Sequence, residues 1–95
     1  VLCVGLNYRA HVAESAGREV PENPRIFARL DDTVIGHGAP LWRPRNSAQF
    51  DYEGELAVVI GRPGRHIPAA RALDHVAAYT IFNDGSVRDF QKHSV

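Results

Sequence analysis

The sequence has little cysteine, no excess of either charge and no long apolar run, and each absence excludes a class of protein. Cys3 is the single cysteine among 95 residues, so no internal disulfide can form and a disulfide-stapled secreted fold is excluded. Basic and acidic residues number 11 each, and this zero balance gives no electrostatic reason to expect nucleic acid or an anionic membrane as partner. No apolar run approaches the roughly 20 residues that span a bilayer, and no secretory signal pattern is visible.

What is present is ordinary for a soluble globular protein. Hydrophobic residues make up 44% and charged residues 23% of the chain. A length of 95 residues allows at most one domain with a modest core. The chain begins in an apolar stretch and stops at Val95 directly after a motif. We therefore expect it to be part of a longer protein.

Strands outnumber helices in the predicted secondary structure. Apolar runs bounded by Gly, Pro and Asn predict strands over residues 1–4, 25–29, 33–35, 50–60 and 78–83. The second half of the 50–60 strand is continuously apolar, which predicts that both of its faces are covered. Short helices are predicted over residues 8–14 or 8–15, 68–75 and 87–92, with Asn7 and Ser86 as N-caps, Pro68 at a first position and Gly17 as a stop. This pattern predicts a β-rich α+β fold, a roll or sandwich with short helices at its edges.

Three acidic residues share one face of the predicted 50–60 strand. Side chains alternate along a strand, so Asp51, Glu53 and Glu55 point the same way, about 7 Å apart. Their repulsion requires water or a cation, and oxygen ligands favour Mg²⁺, Mn²⁺ or Ca²⁺ over zinc. A solvated acidic face is the alternative, and it is the commoner outcome for such a stretch alone. Asp84 follows the next strand, whose end can bring a further carboxylate to the same place. The alternative is a turn residue, which is the commoner role for an aspartate considered alone.

A second candidate pair lies on the first helix. His11 and Glu14 are three residues apart and share a helical face. A carboxylate that orients an imidazole makes it a general base. The alternative is an exposed helical ion pair, and the other histidines have no ligand spacing.

Three segments together resemble the fumarylacetoacetate hydrolase family. They read VGLNYRAH at residues 4–11, DYEGELAVVIG at 51–61 and YTIFNDGSVRDFQ at 79–91, in the order and spacing of that family. The resemblance spans essentially the whole chain and implies the N-terminal part of a single catalytic domain, residues 1–95. It also implies a cytoplasmic homodimer that acts on a small oxo-acid or diketo-acid.

The resemblance assigns a role to each candidate residue. By analogy Glu53, Glu55 and Asp84 hold Mg²⁺ or Mn²⁺, with Ca²⁺ as a third choice. His11 and Glu14 fall on the family's catalytic pair, carried on a short helix that orders when substrate binds. Pocket positions fall on Arg88, Gln91 and Arg29, and Arg29 stands where the family often has Lys. Gly85 and Ala78 also depart from the family pattern without removing a ligand.

The resemblance implies three alternative functions. The first is hydrolytic or lyase cleavage of a C–C bond in an acylpyruvate, a fumarylacetoacetate-like diketo acid or oxaloacetate, through a metal-stabilised enolate. The second is isomerisation or decarboxylation of a 2-hydroxymuconate-type intermediate in aromatic catabolism. The third is a catalytically silent family member that only binds metal. Intact Glu53, Glu55, Asp84, His11 and Glu14 argue against the third.

Overall fold

The computed structural model describes residues 1–14 and 19–93, and the chain forms two compact units, Val1–Pro40 and Leu41–Val95. Among the described residues the first unit holds one two-stranded antiparallel sheet and the second unit holds two. The helices are short, so the β-rich α+β class predicted from the sequence is confirmed. No helix in this described part has the length and apolarity that crossing a bilayer requires.

In the first unit, strand β1 (Leu2–Gly5) pairs with strand β2 (Arg25–Ala28). Val1 and Arg29 extend this ladder by exchanging two backbone hydrogen bonds of 2.9 Å each. Helix α1 (Arg9–Ala13) lies between the strands in sequence, and its N-cap residue is Tyr8. The predicted cap Asn7 is therefore wrong by one residue, and the predicted helix end at Ser15 and stop at Gly17 lie outside the described residues.

The strand predicted over residues 33–35 is wrong. A 3₁₀ turn, Asp31–Thr33, occupies the start of this stretch. Both the backbone N–H and the hydroxyl of Thr33 donate to the Leu30 carbonyl, at 3.0 Å and 2.7 Å. A β-branched residue that bonds its own backbone in this way favours a turn over a sheet ladder.

In the second unit, the strand predicted over residues 50–60 is two strands. Strand β3 (Phe50–Asp51) pairs with strand β6 (Ser86–Val87), whereas strand β4 (Gly54–Ile60) pairs with strand β5 (Val76–Asn83). The chain changes its ladder partner at residues 52 and 53. At this point the N–H of Glu53 donates to the Asn83 side chain, Oδ1, at 3.1 Å and not to a strand carbonyl.

A 3₁₀ helix, Ala69–His75, connects β4 to β5. The sequence places this helix correctly, but Pro68 is its N-cap and not its first residue. The N–H of Arg71 donates to the Pro68 carbonyl at 2.8 Å, the i to i+3 spacing of a 3₁₀ helix. Gly61, at the end of β4, donates its N–H to the His75 carbonyl at 2.9 Å and thereby closes the connection.

The last helix begins later than the sequence predicts. Helix α2 (Arg88–Gln91) directly follows β6, and its N-cap is Val87. Ser86, the predicted cap, pairs instead with Asp51 in the β3–β6 ladder, and its hydroxyl donates to the Asp84 carbonyl at 3.1 Å. Ser86 is wrong as a cap because the ladder already uses its backbone.

Little apolar surface is buried within this chain. Val12, 3% exposed, is the one buried hydrophobic residue in the described part. Leu56 on β4 and Ile81 on β5 are 62% and 89% exposed. The prediction that both faces of the apolar half of β4 are covered therefore does not hold among the residues that the structure describes.

The close approach of Ala77 to Gly61 predicts that a larger residue at position 61 lowers stability. A Cβ at residue 61 would lie 2.4 Å from the Cβ of Ala77, whereas a Cβ at Gly36 would meet nothing within 4 Å. We expect Gly61→Ala to lower the free energy of unfolding of the full-length protein by about 1–3 kcal/mol, since Ala77 cannot rotate away. Urea denaturation measures this, with Gly36→Ala as control. Equal midpoints for the two variants would contradict it.

Candidate active site

The guanidinium group of Arg88 is the centre of a charged cluster in the second unit. Its Nε and Nη2 donate to Oδ2 of Asp51 at 3.0 Å and 2.9 Å. Its Nη1 lies 3.1 Å from Oε1 of Glu53 and donates to Oε1 of Gln91 at 3.2 Å. The Arg88 side chain is 27% exposed and that of Glu53 is 21% exposed. Partial burial of this kind strengthens charge-assisted hydrogen bonds over those of a fully exposed pair.

The β3–β6 ladder and helix α2 position this cluster. The β3–β6 pairing sets Asp51 opposite Ser86, two residues before Arg88. The N–H of Arg88 donates to the Gln49 carbonyl at 2.8 Å, which continues that pairing beyond β6. Gln91 lies three residues further along α2, so it shares a helical face with Arg88.

Asp84 and Glu53 lie directly across from each other. The register of β4 and β5 pairs Gly54 with Asn83, and the N–H of Asp84 donates to the Glu53 carbonyl at 2.9 Å beyond that pair. Asp84 is 5% exposed. A carboxylate at such a depth is favourable only where it is hydrogen-bonded, paired with a cation or bound to a metal.

Glu55 lies on the same side of β4 as Glu53. Exposure alternates along this stretch: Glu53, Glu55 and Ala57 are partly buried, and the residues between them are exposed. Glu55 pairs with Phe82, two residues before Asp84. Together with the register of Asp84 this places the three predicted metal ligands on one face.

The donor chemistry of these three residues fits a hard divalent cation, because all of their ligand atoms are carboxylate oxygens. In the described residues, however, no three His, Cys, Asp or Glu side chains are grouped so that they could hold a metal ion. Nη1 of Arg88 lies 3.1 Å from Oε1 of Glu53, so this guanidinium group would compete with a metal ion for that carboxylate. The metal assignment to Glu53, Glu55 and Asp84 therefore stays a prediction.

In the first unit, His11 and Glu14 form the predicted pair. Nδ1 of His11 lies 3.2 Å from Oε2 of Glu14 at the end of α1. The two side chains are 45% and 74% exposed, so the contact contributes little to stability. Arg29, the third candidate of this unit, places its guanidinium carbon 5.6 Å from the centroid of the Phe27 ring, a cation–π contact.

Sequence reasoning missed two polar residues near Arg88. Ser47 is 3% exposed, and its hydroxyl donates to Oδ1 of Asp89 at 2.7 Å. The two residues are 42 positions apart, and Ser47 lies outside every strand and helix predicted from the sequence. No local pattern marks such a contact, so nothing in the sequence alone could have found it.

Comparison with known proteins identifies the family. The model of the family described as Fumarylacetoacetate (FAA) hydrolase C-terminal matches residues 1–95. The chain therefore belongs to the fumarylacetoacetate hydrolase family.

Relatives with enzyme names are similar over nearly the whole chain. Oxaloacetate tautomerase YisK of Bacillus subtilis is 46% identical over 94 residues, which cover 97% of this chain and 31% of that protein. The mitochondrial oxaloacetate tautomerase Fahd2a of Rattus norvegicus is 43% identical over 91 residues, 96% of this chain and 29% of that protein. The crystal structure of 5-carboxymethyl-2-hydroxymuconate delta-isomerase from Mycobacterium smegmatis is 44% identical with a TM-score of 0.82, covering 98% of this chain and 37% of that one. The chain thus spans about a third of the length of these relatives.

Proposed function

We propose that the full-length protein is a divalent-metal enzyme that moves a proton in a small 2-oxo or 2-hydroxy polycarboxylic acid by way of an enolate. The observation that carries this proposal is the cluster of Arg88, Asp51 and Glu53 beside buried Asp84. It combines a guanidinium donor for a substrate carboxylate with oxygen ligands for a hard cation. The relatives named oxaloacetate tautomerase and hydroxymuconate isomerase support proton transfer, since both substrate names denote acids with an oxo or hydroxy group beside a carboxylate.

Cleavage of a C–C bond is the second candidate function. The family description, FAA hydrolase, favours it. It shares the enolate with proton transfer and differs in that water attacks the carbonyl carbon before the bond breaks. The same residues would serve both reactions, so the structure of the bound substrate would determine which reaction occurs.

Arg88 would bind a substrate carboxylate. Its Nε and Nη2 are both held by Asp51, whereas Nη1 faces Glu53 and Gln91. A substrate carboxylate can replace Glu53 at Nη1 while Asp51 keeps the guanidinium plane fixed. Two ion pairs to a single Arg are compatible because the guanidinium group has five donors in a planar fork.

Glu53, Glu55 and Asp84 would hold Mg²⁺ or Mn²⁺, and a bound ion of this kind supplies Lewis-acid stabilisation of the negative charge that develops on an enolate oxygen.

His11 would act as the base. Its Nδ1 faces the Glu14 carboxylate, which favours the tautomer that carries the proton there. The other ring nitrogen, Nε2, would then accept a proton from a substrate carbon, the role that the family resemblance implies for His11. The C–H electron pair would pass into the enolate, and the protonated His11 would deliver the proton to the enolate oxygen, which completes the tautomerisation.

Removal of Glu53 tests the metal assignment. We expect Glu53→Ala to abolish both saturable Mn²⁺ binding and metal-dependent turnover in the full-length protein, because it removes a ligand. Asp74→Ala is the matched control, since Asp74 also pairs with an arginine, Arg71, at 3.1 Å. Calorimetric titration and steady-state kinetics measure the two effects. Metal-dependent turnover that survives in Glu53→Ala would disprove the assignment, and wild-type protein that binds metal without turnover would indicate a silent family member.

Replacement of the base separates catalysis from metal binding. We expect His11→Gln to lower kcat by about 10²–10⁴-fold, the range for loss of a general base, and Glu14→Gln to lower it less. Metal affinity should not change in either variant. His37→Gln is the control, because His37 has no assigned chemistry. A kcat for His11→Gln within twofold of the control would rule out His11 as the base.

Replacement of Arg88 should have two opposite effects, weaker substrate binding and tighter metal binding. We expect Arg88→Gln to raise KM for a diacid about tenfold or more, since a charge-assisted hydrogen bond is lost. The same change should tighten Mn²⁺ binding, because Glu53 loses its competing cation. Arg71→Gln, which breaks the exposed pair with Asp74, is the control. Weaker Mn²⁺ binding in Arg88→Gln would contradict the competition.

A further inference from the structure

Ser47 forms a buried polar connection between two distant parts of the second unit. Its hydroxyl donates to Oδ1 of Asp89 at 2.7 Å and accepts the N–H of Gln49 at 3.0 Å. Its carbonyl accepts a hydrogen bond from the Arg43 guanidinium. Both hydroxyl functions and the carbonyl of Ser47 are therefore used, as a residue 3% exposed requires.

The partner of this hydroxyl stands immediately after Arg88. Asp89 lies in the first turn of α2, where the same Oδ1 also accepts the N–H of Phe90 at 3.2 Å. One residue earlier, the N–H of Arg88 donates to the Gln49 carbonyl at 2.8 Å. Residues 47–49 thus make two hydrogen bonds to α2, one with the Arg88 backbone and one with the Asp89 side chain.

Helix α2 needs such external contacts. It is four residues long, Arg88–Gln91, and its N-cap residue, Val87, makes no side-chain cap hydrogen bond. A single helical turn is not stable by itself in water, so its geometry must come from tertiary contacts. The position of the Arg88 backbone depends on that geometry, and from this position the guanidinium group reaches Asp51 and Glu53.

We propose that Ser47 and Asp89 are positioning residues that hold Arg88 ready for a substrate carboxylate. This inference rests on the proposed function, in which Arg88 binds the acid. Neither residue contacts the guanidinium group of Arg88 in the hydrogen bonds above. Both act through its backbone and through the start of α2.

A double-mutant cycle tests the proposal in the full-length protein. We expect Ser47→Ala and Asp89→Ala each to raise KM for a diacid about tenfold and to change kcat less than about twofold, in keeping with loss of a buried hydrogen bond. Asp89→Asn keeps an oxygen that accepts from Ser47, so its KM should return to near the wild-type value. In the Arg88→Gln background, Ser47→Ala should raise KM no further, because residues that act through one another are not additive.

The control is Thr33→Ala in the first unit, which removes a hydroxyl that donates to a backbone carbonyl at 2.7 Å. It should leave KM unchanged. A tenfold rise in KM for Ser47→Ala that persists in the Arg88→Gln background would overturn the proposal. So would a loss confined to kcat.

Hydrogen exchange provides a measurement that needs no turnover. We expect the peptide covering residues 86–91 to exchange faster in Ser47→Ala than in wild type or Thr33→Ala. The Ser47 hydroxyl holds both Asp89 and Gln49, whose carbonyl accepts the Arg88 N–H, and the variant lacks it. Failure of wild type to convert any diacid would refute the proposed function alone, and the exchange result would still decide the positioning role. Unchanged protection of residues 86–91 in Ser47→Ala would refute that role.

Discussion

The second unit contains an ion cluster in which the single positive charge of Arg88 pairs with both Asp51 and Glu53. The chain changes its ladder partner between these two carboxylates, so Asp51 belongs to the β3–β6 pair and Glu53 adjoins the β4–β5 pair. Arg88 directly follows β6, and its guanidinium group pairs with Asp51 from the first ladder and with Glu53 next to the second. Without a cation at this point, acidic residues from two ladders would repel one another.

The same cluster links structure to the proposed chemistry. A guanidinium group that holds one carboxylate with Nε and Nη2 keeps a further donor for an exchangeable partner. Glu53 and a substrate acid are both suitable partners for that donor. If Glu53 leaves the guanidinium group to bind a metal, a donor of Arg88 becomes available to a substrate carboxylate. Metal binding at Glu53 would therefore favour substrate binding at Arg88.

The sequence predicts the elements better than their connections. The apolar runs locate β1, β2, β4 and β5, and the three motifs identify the family. Alternation alone treats residues 50–60 as one strand, because nothing local shows where a ladder changes partner. Likewise, Ser86 resembles a helix cap until its pairing with Asp51 is known. The bond from Ser47 to Asp89 joins residues 42 positions apart, beyond the reach of any local pattern. By contrast, the His11–Glu14 pair is local to one helix, and its spacing predicts the contact.

The proposed function requires the carboxylates of this chain to support metal-dependent chemistry on a small oxo-acid. The most direct test offers the full-length protein oxaloacetate, an acylpyruvate and a hydroxymuconate-type diacid, each with Mg²⁺, with Mn²⁺ and with a chelator. Our account predicts tautomerisation or isomerisation of at least one acid, which the chelator abolishes and added metal restores. Turnover that is unaffected by the chelator, or no turnover of any of these acids with either metal, would contradict it.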